Sequence, residues 1–139
     1  MEFEIREGFE AMDFERVHAW LVAAYWSVGV TRERVERAAH GSSLVLGAFA
    51  GGEQIGYTRV VSDRTTFAWV CDVYVDEAFR GRGVAKALVQ HALDHSEHQG
   101  LRRWVLATAD AQRVYSALGF DPLPNPERWM IRGRAIPTP

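Results

Sequence analysis

An α/β fold is predicted by three stretches of this chain. Residues 43–75 read as three consecutive strands, residues 70–93 end the last of these and add a loop and a helix, and residues 103–120 read as a strand and a short helix. Strand and helix signals that alternate along 139 residues fit one layered domain with its own core. Residues 1–134 are expected to form that domain and 135–139 a frayed tail, since no repeat, low-complexity tract or linker divides the sequence.

The elements can be justified in order. Residues 3–6 alternate apolar and charged side chains, as a first strand does. Asp13 is placed to cap a helix to about Tyr25, with Phe14, Val17, Leu21 and Tyr25 on one face. Thr31 suits the N-cap of a second helix to about Ala39, so highly charged that it is expected to lie exposed. Residues 43–50 and 54–61 are strand-like and joined by Gly51-Gly52-Glu53, a hairpin signal. Residues 67–75 continue the meander. Val84, Leu88 and Ala92, with Val89 and Leu93 beside them, give the next helix one apolar face. Residues 103–107 read as strand and 110–118 as helix, and Gly119-Phe120 turns into another strand. Pro122, Pro124 and Pro126 stiffen the following loop, and residues 128–132 read as a last short strand.

Composition narrows the function. With 47% hydrophobic and 24% charged residues, the chain has an ordinary globular balance. A net charge of −2 gives no general attraction to nucleic acid or to an anionic membrane. The single cysteine, Cys71, excludes an intrachain disulfide, and its apolar strand context reads as core packing. The first ten residues lack the basic region and apolar block of a signal peptide, and the longest apolar run, 19–26, is too short to span a bilayer. A cytoplasmic location is expected. His91 and His95 stand four apart on a helix, but Ala92 occupies the place of a zinc-protease Glu. With His98 they are expected to form a solvated face and to bind no metal.

The chemistry is expected where Arg80-Gly81-Arg82-Gly83 opens into a helix. The first amides of a helix have no intrahelical acceptor, and with the helix dipole they attract phosphate. A nucleotide P-loop is excluded because no Gly-Lys-Ser/Thr follows, and the dinucleotide fingerprint because Lys86 replaces its third glycine. The plain alternative is a turn that merely needs positive φ.

Residues 80–85, Arg-Gly-Arg-Gly-Val-Ala, resemble the acyl-CoA-binding motif of the GNAT acetyltransferase family, Gln/Arg-x-x-Gly-x-Gly/Ala. The context matches too, after a strand ending Val73-Tyr74-Val75. Residues 111–120 resemble the family's Ala-x-x-x-Tyr-x-x-x-Gly-Phe, and the likeness spans residues 3–132. It implies a mixed, twisted sheet of six to seven strands flanked by about four helices, and acetyl-CoA as co-substrate without a metal. Backbone groups of Val73 and Val75 would hold the pantetheine arm. The loop of Arg80, Gly81, Arg82, Gly83, Val84 and Ala85 would wrap the pyrophosphate.

Tyr115 matches the family tyrosine that protonates the leaving sulfur; the alternative is packing beside Val114 and Leu118. Thr108 stands where the family often has an Asn. Asp72, an acid inside an apolar strand, is a candidate base, or equally a carboxylate tied to a neighbouring backbone group or Arg. Trp26, Tyr57, Trp69 and Trp129 are candidates for an acceptor pocket, with Tyr25 and Phe67 behind them and core packing the competing role of each. The expected reaction is acetyl transfer to a primary amine of a small molecule. A non-catalytic acyl-CoA-binding module and a protein N-terminal or lysine acetyltransferase are the alternatives. Family members are often dimers, so a homodimer is allowed, although no residue here demands one.

Overall fold

The computed structural model describes residues 1–139. Five strands, β1 (Glu4–Glu7), β2 (Leu44–Ala50), β3 (Glu53–Ser62), β4 (Phe67–Val75) and β5 (Arg103–Val105), form one sheet in that order. The first four are antiparallel neighbours, whereas β5 runs parallel to β4. Helices α1 (Phe14–Leu21) and α2 (Arg32–His40) cover one face, and α3 (Val84–Asp94) covers the other. A short helix, α4 (Gln112–Ser116), follows β5.

Alternation along the strands assigns the two layers. In β2, Val45 and Phe49 pack with Phe14, Val17, Leu21, Val35 and Ala39 under α1 and α2. The intervening Leu44, Leu46 and Ala48 pack with Val84, Leu88 and Ala92 of α3. β2 is therefore buried on both faces. Close approach of α3 requires Gly56 in β3: a Cβ there would lie 3.1 Å from Leu88 Cδ1, 3.2 Å from Val84 Cγ1 and 3.3 Å from the Tyr74 carbonyl.

The caps fall at the expected residues. Asp13 accepts from the Arg16 amide at 3.2 Å, and Thr31 Oγ1 accepts from the Arg34 amide at 3.2 Å. α1 ends four residues before Tyr25, where the Ser27 hydroxyl donates to the Leu21 carbonyl at 2.6 Å and competes with further helix. α2 is not wholly exposed, since Val35 and Ala39 are buried. His98 also departs from the solvated face expected of it. Only 1% exposed, it shares a 2.8 Å hydrogen bond with Ser43 Oγ.

The sheet has five strands rather than six or seven. Neither Phe120 and its successors nor residues 128–132 join it. Pro122, Pro124 and Pro126 have no amide proton to give to a ladder. Beyond Phe120 the backbone makes only two local turn bonds, Arg128 to Asn125 and Trp129 to Pro126.

Candidate active site

The site begins where the sheet splits. β5 pairs with β4 only from Phe67 to Trp69, so the two strands part beyond Val105 and leave that edge of residues 70–75 without a strand neighbour. A β-bulge marks the same place: the register passes from Arg59↔Cys71 to Tyr57↔Tyr74, so one residue of β3 faces two of β4. Asp72 carries the bulge at φ 54°, a left-handed conformation that Asp tolerates better than most residues. Val73 and Val75 follow it on the unpaired edge.

Below the split lies a cleft of about 660 Å³ that runs along Val73–Val75 to the start of α3. Gly81 and Gly83 sit at φ 76° and 79°, where a side chain would be strained. The first bond of α3 runs from the Ala87 amide to the Gly83 carbonyl at 3.0 Å, so the amides of residues 83–86 lack an intrahelical acceptor. No acidic residue occupies the first turn of α3. Arg80 lines the cleft, its Nε donating to the Val75 carbonyl at 3.0 Å and its guanidinium 5.2 Å from the centre of the Tyr74 ring. Lys86 lines it too, a cation the sequence had offered only as a missing glycine. Arg82 does not. Its guanidinium lies 5.9 Å from the centre of the Phe79 ring.

A second cleft, of about 440 Å³, opens on the α1–α2 side of the bulge. Its polar centre is the Asp72 carboxylate. Oδ1 accepts from Trp26 Nε1 at 2.9 Å, and Oδ2 accepts from Arg59 Nε at 2.7 Å. Both members of the ion pair are largely buried, their side chains 16% and 20% exposed. Burial, the largest single influence, works against the charge of Arg59, but Asp72 together with Cys71 and Tyr57 more than offsets it and holds the guanidinium more firmly protonated than usual. Asp72 is therefore a carboxylate tied to an Arg, and the same residue lines a cleft. Cys71 lies on this wall as well, its thiol pushed up by burial and so kept neutral.

The two clefts meet at Tyr25, Trp26, Val73, Asp110, Ala111 and Tyr115, which line both. The Tyr25 hydroxyl accepts from the Ala109 amide at 3.0 Å and so ties the turn after α1 to the loop after β5. Thr108 Oγ1 accepts from the Ala111 amide at 3.1 Å and helps start α4. Tyr115 is 8% exposed, packed with Val70, Val89 and Phe120. Burial first, then Tyr25 and Asp110, push its phenol up to about 12, so it carries its proton at neutral pH.

The aromatic candidates divide. Trp26 and Trp69, both expected in an acceptor pocket, line the second cleft. Tyr57 does not: it is fully buried beneath α1, edge-on to Phe14 at 6.3 Å, because its position on β3 points into that core layer. Trp129, half-exposed after the proline loop, lines neither cleft because residues 128–132 do not return to the sheet. Sequence reading missed Arg34, Arg59 and Ile136, all of which line the second cleft. For Arg59 a signal existed, since a cation within an apolar strand needs a partner. Ile136 belongs to the segment expected to fray.

The site thus lies in an α/β fold whose strand pair splits at a bulge, with a glycine loop and a helix N-terminus below it. The family model of the GNAT acetyltransferases matches residues 5–120, and the chain belongs to that family. A GNAT-family protein from Xanthomonas campestris pv. campestris is 36% identical, with a TM-score of 0.91 over 96% of this chain and 94% of that one. A GNAT-family acetyltransferase from Streptococcus pneumoniae is 24% identical, with a TM-score of 0.71 over 96% of each chain. The aminoglycoside N-acetyltransferase AAC(6')-Iy, solved with CoA, is 19% identical, with a TM-score of 0.67 over 96% of this chain and 95% of that one. The last two share the fold. No curated protein matches the chain in sequence.

Proposed function

We propose that this chain transfers an acetyl group from acetyl-CoA to the primary amine of a small molecule. The observation that carries this reading is the meeting of two clefts at a buried, protonated Tyr115. The lower cleft suits the CoA portion: the amides of residues 83–86, Lys86 and the positive end of α3 supply donors and charge for a pyrophosphate. The edge of Val73 and Val75, which has no strand neighbour, offers an extended pantetheine arm the bonds of an added strand, although Arg80 already occupies one site on the Val75 carbonyl. The residues fit the group.

The chemistry needs orientation, a proton acceptor and a proton donor. The acceptor nitrogen forms a bond to the thioester carbonyl carbon, and the carbon–sulfur bond breaks. Asp72 has two engaged oxygens, yet a carboxylate has about four lone-pair sites, which leaves sites to take the amine proton directly or through water. Tyr115 gives its phenolic proton to the sulfur and is restored by a proton equivalent to the one the amine released. Trp26 and Arg59 fix the carboxylate, and Trp69 forms an apolar wall.

Release of free thiol from acetyl-CoA across a panel of amines, with the acetylated amine identified by mass, tests the reading. Amine-dependent thiol release with stoichiometric product is expected. Slow hydrolysis unaffected by any amine would favour a non-catalytic acyl-CoA-binding module.

A further inference from the structure

The charges on the acceptor-side cleft are unevenly satisfied. Four ionisable residues of fixed charge line it: Arg34, Arg59, Asp72 and Asp110. Arg59 and Asp72 neutralise each other at 2.7 Å. Asp110 is exposed at the junction with the CoA-side cleft and forms no ion pair. Arg34, on the exposed side of α2, has no carboxylate within 4.0 Å, while its helix neighbour Arg32 is paired with Glu36. The wall of α2 thus presents an uncompensated guanidinium, and the junction presents uncompensated negative charge. Trp26, Trp69, Leu21, Val30 and Val35 give the same cleft an apolar lining.

From this arrangement we infer that the acceptor is an amine that also carries an anionic group, a carboxylate or phosphate, on an apolar or aromatic body. Its anion pairs with Arg34 and its amine lies toward Asp72, Asp110 and Tyr115. This rests on the acetyltransferase reading and narrows it. Guanidinium recognises carboxylate and phosphate through paired donors, and a charge-assisted bond of this kind adds specificity as well as affinity. A polycationic acceptor is disfavoured, because the cleft offers two cations against two anions and one of its anions is already taken. Arg34 is thereby a specificity-determining residue remote from the reacting atoms. Its removal raises KM for the anionic acceptor and leaves kcat in place.

The test uses matched acceptors in the thiol-release assay: phenylalanine against phenylalaninamide, tyramine phosphate against tyramine, and neamine as polycation. Thermal shift with acetyl-CoA is run in parallel on wild type and Arg34→Ala. In at least one pair, kcat/KM is expected to favour the anionic member by about tenfold, roughly what one charge-assisted bond contributes. Arg34→Ala should abolish that preference through KM, Arg34→Lys should keep part of it, and added salt should weaken it. The acetyl-CoA shift should be the same in wild type and Arg34→Ala. Equal or reversed preference in both pairs, preference for neamine, no turnover of either anionic amine, or a preference that survives Arg34→Ala would each overturn the inference while acetyl-CoA still binds. Absence of the acetyl-CoA shift in wild type overturns the acetyltransferase reading, and this inference with it.

Discussion

Tyr115 joins the two clefts, and its burial keeps the phenol in the protonated form that a proton donor needs. Held up to about 12 from an ordinary 10.0, it stays protonated well beyond neutral pH. The raised value favours the protonated folded state, so the stability linked to it is complete below pH 10 and is lost as pH rises toward about 12. A kcat profile should accordingly show no alkaline loss from this residue below pH 10. Tyr115→Phe should lower kcat by about 10²-fold, the usual scale for a positioned acid, with acetyl-CoA affinity unchanged. Equal kcat in the two proteins would remove Tyr115 from the chemistry. Asp72 pairs with Arg59 and also lines the cleft proposed for the acceptor. Asp72→Asn keeps a residue that tolerates φ 54° but strands the Arg59 charge. It should cost on the order of 3 kcal/mol in a denaturant titration. It should also lower kcat/KM, with circular dichroism confirming that the protein remains folded.

The elements explain how distant residues reach one place. α3 lies on the sheet through Gly56, and the same helix supplies the free amides at its start. Gly56→Ala forces Leu88 and Val84 to give way, which should cost about 1–3 kcal/mol in chemical unfolding. It should also weaken acetyl-CoA binding by tilting the start of α3. An unchanged unfolding midpoint would show that α3 has slack there. The meander β2–β3–β4 and the α3 face were legible in the sequence because each follows a short-range period, two along strands and nearly four along the helix. The glycine loop was legible because positive φ leaves a residue signature. The final strands were not: residues 128–132 contain Trp, Met and Ile and so look like a strand, but pairing needs a neighbour as well as propensity. The acceptor-side cleft was the least legible part. Its charges come from α2, β3, β4 and the loop before α4, and no local pattern relates Arg34 to Asp110 or Arg59 to Asp72.

At the scale of the molecule, Tyr25 to the Ala109 amide and Trp26 to Asp72 tie separate elements together at the clefts, and His98 to Ser43 does so away from them. His98 ties the connection after α3 to the start of β2. Burial, then His95 and Arg64, hold its proton affinity below the ordinary 6.5. A depressed value favours the neutral folded form, so this contribution is present above pH 6.5 and is lost as pH falls below it. Thermal unfolding midpoints should therefore drop on acidification below 6.5, less steeply in His98→Leu; identical slopes would exclude His98 as a source. The C-terminal segment reaches the acceptor side through Ile136. Deleting residues 135–139 should alter KM for the amine and spare acetyl-CoA affinity, as read by thiol release and thermal shift. The central claim is that the split strand and the start of α3 bind acetyl-CoA, and a thermal unfolding titration with acetyl-CoA tests it most directly. A ligand that binds only the folded state must raise the midpoint progressively, by about 2.7 kcal/mol of added stability at a hundredfold excess over Kd. The account predicts that rise in wild type and a smaller one in Lys86→Glu, which places an acid in the phosphate-facing turn. No rise at millimolar acetyl-CoA would contradict it.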